Sequence, residues 1–153
     1  MTLSFMPYVG AAPLIFGITR DQAIEILGEP QLRMPNSPLA GESLEYTGVS
    51  LAFDENGKLM QIGFDGHFPG TLLFEGVDVF KDQDAMKILV TRDGNPFLWV
   101  GFLMLLNLGV RLGGYHDEAD EGKTVSLFMK GRYDSKIPRF APYEPRKDSP
   151  EKS

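Results

Sequence analysis

No cysteine occurs in the 153 residues, and histidine occurs only twice. The first absence excludes a disulfide scaffold, thiolate metal sites and a cysteine nucleophile, and it fits a reducing compartment. The second leaves little imidazole for acid–base or metal chemistry. A surplus of positive charge is missing too. Lys and Arg together number 15 against 21 Asp and Glu, a formal net charge of −6, and the basic residues are scattered. An acidic chain without a basic face repels phosphate backbones, so nucleic acid is not expected as a partner. Long apolar runs are lacking as well. The longest, "FLWVGFLMLL" (Phe97 to Leu106), is far short of the roughly 20 residues of a membrane helix and reads as core, so no membrane is expected. The opening "MTLSFMPYVGAAPLIFG" has no Lys or Arg before its apolar part, and Pro7 and Pro13 interrupt it. It does not match a signal peptide, which makes the cytoplasm the default compartment.

What is present is ordinary globular composition, with 42% hydrophobic and 24% charged residues. The chain is long enough for one domain with a real core, placed at 1–143. The tail 144–153, "EPRKDSPEKS", carries two prolines and no aliphatic residue and is expected to be disordered. "GITRDQAIEILGEP" is the clearest helix. Thr19 caps it, Gln22 completes a capping box, and Gly28 and Pro30 end it, with Ile26 and Leu27 expected in the core. "SLEYTG", "VSLAF", the turn "DENG" and "KLMQIGF" read as strands and a hairpin. The alternation in "KLMQIGF" is uneven, with Leu59, Ile62 and Phe64 out of step. "TLLFEGVDVF" is β-like, and "KDQDAMKILVTRDGNP" is a second short helix opened by Asp82 or Asp84 and closed near Gly94. The apolar run containing Phe97, Trp99 and Phe102, then "LGVRLGGY", the acidic "HDEADEG" and "TVSLFMKGRY" complete the pattern.

The two halves echo each other. "GVSLAFDENGK" begins at Gly48 and "GVRLGGYHDEADEGK" at Gly109, an offset of 61 (109 − 48). "AIEIL" from Ala23 meets "AMKIL" from Ala85 at 62 (85 − 23), and Gly57-Lys58 meets Gly122-Lys123 at 65 (122 − 57). Ile62 and Phe64 are matched to Leu127 and Met129. The order helix, strand, hairpin, strand occurs twice, and a shared offset points to a tandem duplication with pseudo-repeats at about 14–75 and 76–135. The expected fold class is therefore α+β, with two short helices packed on an antiparallel sheet. One such unit alone buries too little apolar area to be stable, so the two are expected to pool a core and leave the other sheet face usable for binding.

Phe16, Gly17, Ile18, Thr19, Ala23, Ile26, Leu27, Gly28 and Pro30 form a pattern that resembles the opening helix of bacterial SmpA/OmlA-like and β-lactamase-inhibitor-protein-like units. The overall plan is also similar to small bacterial immunity proteins. The resemblance implies helices behind a sheet whose open face grips a protein partner such as an enzyme or toxin. The present chain has neither the cysteines nor the secretion signal of the extracellular inhibitors.

Chemistry-bearing clusters are few. His116 stands beside Asp117, Glu118, Asp120 and Glu121. These side chains could attract a divalent cation, but the alternation of a calcium loop is not met, so no metal is assigned. An acidic hairpin tip docking on a protein partner is the preferred reading, with Tyr115, His116, Asp117, Glu118, Asp120 and Glu121 as binding residues. Asp65 and His67 could form an acid–base pair, yet no Ser or Cys stands in a nucleophile setting. No glycine-rich turn links a strand to a helix as a phosphate loop does, and no cofactor is expected. The sequence thus favours a noncatalytic protein-binding module of inhibitor or immunity type. A small-ligand binder with a pocket between helix and sheet, or an enzyme using Asp65 and His67, stand as alternatives. Oligomeric state is not legible.

Overall fold

In chain order, the computed structural model has three short strands, β1 (Thr2–Met6), β2 (Gly10–Ala12) and β3 (Leu14–Ile15), before the helix α1 (Arg20–Leu27). It describes residues 1–35, 41–115 and 122–144. Thr19 caps α1 as the spacing predicts: its hydroxyl accepts the Gln22 N–H, and the Gln22 side chain accepts the Thr19 N–H. Gly28 ends the helix at φ 87° and ψ −172°, a conformation essentially reserved for glycine. The strands β4 (Leu32–Met34), β5 (Ser43–Tyr46), β6 (Val49–Phe53) and β7 (Leu59–Asp65) follow as an antiparallel meander. After the hairpin of β8 (Thr71–Phe74) and β9 (Val77–Asp78) comes α2 (Ala85–Asp93). Asp84 precedes it without a side-chain cap bond, and Gly94 closes it in the left-handed conformation. A second meander, β10 (Phe97–Trp99), β11 (Phe102–Leu105), β12 (Val110–Gly113) and β13 (Thr124–Phe128), leads through a 3-10 segment (Asp134–Arg139) to β14 (Ala141–Pro142).

The two meanders, with β14 at one edge, form one nine-stranded sheet in the order β14-β10-β11-β12-β13-β7-β6-β5-β4. They meet at β7 and β13, antiparallel, with Gly63 opposite Ser126, Ile62 opposite Leu127 and Phe64 opposite Val125. Ile62 and Leu127, matched as counterparts in sequence, are therefore neighbours across this junction. A β-bulge at Ala52/Phe53 accounts for the uneven alternation of β7: Phe53 pairs with Leu59 while Ala52 pairs with Gln61. The extra residue, Met60, lets Leu59 and Ile62 face the same way although three positions separate them.

Between the helices and the sheet lies one main core. Leu44, Leu51, Ile62 and Phe64 from the first meander join Leu103, Val110, Leu112, Val125 and Leu127 from the second. Ala23 of α1 and Ala85 and Leu89 of α2 pack against this cluster, so both helices lie on one side of the sheet. Ile26 and Leu27 are only partly buried. Ala23, fully buried, brings the backbone of the short α1 down onto the sheet, and the larger side chains flank that contact. The N-terminal segment, read above only as apolar, supplies a second sheet in the order β3-β2-β1-β8-β9. Its β1–β8 pair is parallel, and Leu3, Phe5, Leu14, Leu72 and Phe74 close the same core.

Candidate functional site

Of the six binding residues expected from sequence, five (His116, Asp117, Glu118, Asp120 and Glu121) lie outside the described residues. Tyr115 is 8% exposed, and its hydroxyl donates to the Val79 carbonyl oxygen at 2.6 Å. Burial, with a smaller push from Asp78, drives that hydroxyl's pKa up. The ring is a packing element beneath Lys123, whose Nζ sits 5.1 Å from its centroid. Asp65 and His67 form a turn: the carboxylate accepts the His67 main-chain N–H at 2.8 Å, and His67 is exposed. Among the described residues no group of three or more His, Cys, Asp or Glu is arranged to hold a metal ion.

The geometry that does converge is on the face of the nine-stranded sheet opposite the helices. Directly paired residues share a face. One row of such pairs runs across the junction from Leu32 through Glu45, Ser50, Gly63, Ser126 and Arg111 to Met104 and Phe97. At its centre stand small residues. A Cβ placed on Gly63 would meet only ordinary contacts, Ser126 Oγ at 3.6 Å and Ser50 Cβ at 3.8 Å. The result is a cleft of about 290 Å³ lined by Glu45, Tyr46, Ser50, Gly63, Asp65, Phe102, Arg111, Thr124 and Ser126, among others. Glu45 and Arg111 are four strand spacings apart, about 19 Å between backbones at the usual ~4.8 Å per strand. The cleft therefore has acid at one end, a guanidinium at the other, and a floor of glycine and hydroxyl groups.

Arg111 is held in place from three sides. Its Nη1 donates to the Tyr133 hydroxyl at 3.1 Å, and its Nη2 donates to Ser126 Oγ at 3.4 Å. The guanidinium carbon lies 4.4 Å from the centroid of the Phe102 ring. That ring can lie there because residue 113 is glycine: a Cβ would come within 3.0 Å of it and 2.6 Å of Thr124 Oγ1. Tyr133 in turn donates to Gln61 Oε1 at 3.1 Å, which also accepts from Arg132 Nε at 3.2 Å. No carboxylate of the described residues lies within ion-pair distance of Arg111. Its Nε is buried and has no hydrogen-bond acceptor among the described residues. Beyond Arg111 the face is roofed by aromatic rings. Tyr133 packs on Phe128 and Trp99, and Phe140 on Trp99 and Phe97. Sequence reasoning missed Arg111. Its signal was the one charged residue inside "GVRLG", at the position where "GVSLA" has Ser50.

A second hollow, of about 370 Å³, lies where the C-terminal end of α1 meets the sheet, among Ile26, Leu27, Tyr46, Val49 and Phe68. Tyr46 closes part of it by donating to the Gly28 carbonyl oxygen at 2.7 Å. Among the described residues no helix is long and apolar enough to cross a membrane. No protein-family model matches the chain, and neither a curated protein nor a solved structure matches it.

Proposed function

We propose that the protein is a noncatalytic protein-binding module of inhibitor or immunity type, acting in the cytoplasm, and that it binds through the open face of the nine-stranded sheet. The observation that carries this reading is Arg111, a half-buried cation facing a cleft and having, among the described residues, no carboxylate partner and one orphaned donor. Leaving a charged donor unsatisfied costs stability, and an incoming acceptor recovers it. The acidic residues of segment 116–121, which lies outside the described residues, supply charge that speeds association with a partner.

A tandem duplication accounts for how such a face arises. Val49 pairs with Phe64 and Val110 with Leu127; Leu51 pairs with Ile62 and Leu112 with Val125. Exchanging the two sets maps the β7–β13 register onto itself, with the pair Gly63–Ser126 at the centre. The exchange pairs Ile62 with Val125 at an offset of 63 (125 − 62), in place of the 65 taken from the Gly-Lys dipeptides. Two copies joined about such an axis place the loops and edges of both around one central floor. A second reading, a small-ligand site, is favoured by the hollow at the end of α1, whose lining of Ile26, Leu27, Val49 and Phe68 is apolar.

The test uses a photo-crosslinking residue at Ser50, on the face, and another at Glu25, on the exposed side of α1, in the native host. The face position should trap one protein that unlabelled wild-type chain competes away and Gly63→Gln does not, because Gln fills the cleft floor. Equal trapping from both positions, or competition by Gly63→Gln as strong as by wild type, would overturn the reading.

A further inference from the structure

We infer that Arg111 is the anchor for a carboxylate carried by the partner, an inference that rests on the face-binding reading above. Two of the five guanidinium N–H directions are used within the protein, by Tyr133 and, at 3.4 Å, by Ser126. Nε and Nη2 define the side-on edge that a carboxylate grips with two parallel hydrogen bonds. Nε is buried and has no acceptor among the described residues, while the Nη2 bond to Ser126 is long, at 3.4 Å. Stacking on Phe102 fixes the plane of the fork without neutralising its charge. The nearest alternatives to a carboxylate fit less well. A neutral amide offers one carbonyl oxygen and no charge, where a carboxylate offers two oxygens and a full charge to the fork. A phosphate, with its larger charge, would meet Asp65 and Glu45, which line the same cleft. A single carboxylate at the Arg111 end, with polar or cationic groups toward Glu45, matches both signs of charge. The hydroxyls of Ser126, Ser50 and Thr124 lie between the two ends. A carboxylate that enters at Nη2 reaches Nε only when the side chains that bury it move aside.

The carboxylate can come from an Asp or Glu side chain or from a chain terminus, and three peptides separate these sources. Wild-type protein is titrated, at constant chloride, with acetyl-Ala-Glu-Ala-amide, with acetyl-Ala-Ala-Ala as the free acid, and with acetyl-Ala-Gln-Ala-amide. The Arg111 Nε–H and the Ser126 amide are followed by NMR. The inference expects saturable shifts at these two groups with one or both acidic peptides and none with the Gln peptide. A response to the free acid alone assigns the site to a C-terminus; a response to the Glu peptide assigns it to a side chain. Arg111→Lys, which keeps the charge and loses the fork, should weaken the response at least several-fold. Equal shifts with the neutral peptide, or no saturable shift with either acid, overturn the carboxylate anchor. Because the wild-type titration decides alone, a variant that fails to fold leaves the outcome intact. If the peptides fail while crosslinking from Ser50 still traps a competable partner, the anchor is wrong and the face reading stands. If both fail, the face reading falls as well.

Discussion

Gly48 and Gly109 explain why the chain uses Gly-Val-x-Leu twice. Each opens the inner strand of its meander from a left-handed turn, at φ 71° and φ 70°. At Gly48 an added Cβ would lie 2.1 Å from the Phe68 main-chain nitrogen, whereas at Gly109 the nearest atoms belong to the Tyr8 ring, at 2.9 Å. A ring moves more cheaply than a backbone. Gly48→Ala should therefore cost more stability than Gly109→Ala, and both should exceed the ~1 kcal/mol of the left-handed penalty alone. Denaturant midpoints check the order; equal midpoints would mean that the Phe68 backbone yields. Asp93 was invisible in sequence because two of its three main-chain partners stand 14 and 15 positions away. It is 4% exposed and accepts N–H bonds from Asn107 at 2.8 Å, Leu108 at 3.1 Å and Asn95 at 3.1 Å. This ties the end of α2 to the turn before β12. Burial raises its pKa, and the three N–H groups pull it back only in part. A carboxyl raised in the folded state contributes stability that is complete below its unfolded pKa, about 3.9, and is lost as pH climbs through the folded value. Asp93→Asn turns an NH₂ toward one of those N–H groups and should cost about 1–3 kcal/mol. The gap between wild type and variant should narrow as pH rises from about 4, and a gap constant with pH would contradict the buried-carboxyl account.

The same contrast between local and distant partners separates the elements that could be read from those that could not. The box of Thr19 and Gln22, the Asn56-Gly57 hairpin and the Gly94 stop are local chemistry, and each appears where its residues stand. "FLWVGFLMLL" reads as one apolar run because nothing polar interrupts it. It is a hairpin, turning at Val100 and Gly101 with φ 43° and 86°. Positive φ at both central positions is the type I′ geometry, which favours Asn-Gly, and a β-branched residue there is strained. Val100 is also 71% exposed, so burial does not repay the strain. Val100→Asn should raise stability by roughly 0.5–1.5 kcal/mol, the range for an unfavourable turn residue made compatible. A lower thermal midpoint in the variant would show that the valine makes a contact outweighing its backbone cost. Because the turn adjoins Phe102, which stacks on Arg111, a stabilised turn that binds partner less well would place Val100 on the interface.

Across the entire chain, the α+β class and the order of helix and meander were legible, because periodicity and caps lie within a dozen residues of one another. The second sheet was not. Its parallel β1–β8 pair joins residues some seventy positions apart, Thr2 to Thr71, and two- and three-residue strands carry too little alternation to register. The open face was legible only as a possibility of antiparallel sheets; its cleft depends on Gly63, Ser126, Ser50 and Arg111 lining up through three separate pairings. The two meanders share one core across β7 and β13, and this makes a prediction about cooperativity. Trp99 is the only tryptophan and sits in the second meander, whereas Ile62, 0% exposed, belongs to the first. Ile62 pairs with Leu51 on one side and Leu127 on the other, so its removal leaves a cavity that both meanders line. Ile62→Ala should cost about 2–5 kcal/mol. If the core is a single cooperative unit, the loss appears equally in Trp99 fluorescence and in far-ultraviolet circular dichroism, with one shared midpoint. A duplicated chain whose halves kept independent stability would behave otherwise: the circular dichroism transition would split, and the Trp99 transition would remain at its wild-type midpoint. Leu127→Ala, on the opposite side of the junction, should shift both probes in the same way. The double variant should be less destabilised than the sum of the two, since each opens the same space. Strict additivity would mean that the junction transmits no strain, and the two meanders would then have to be treated as separate folding units that happen to share a sheet.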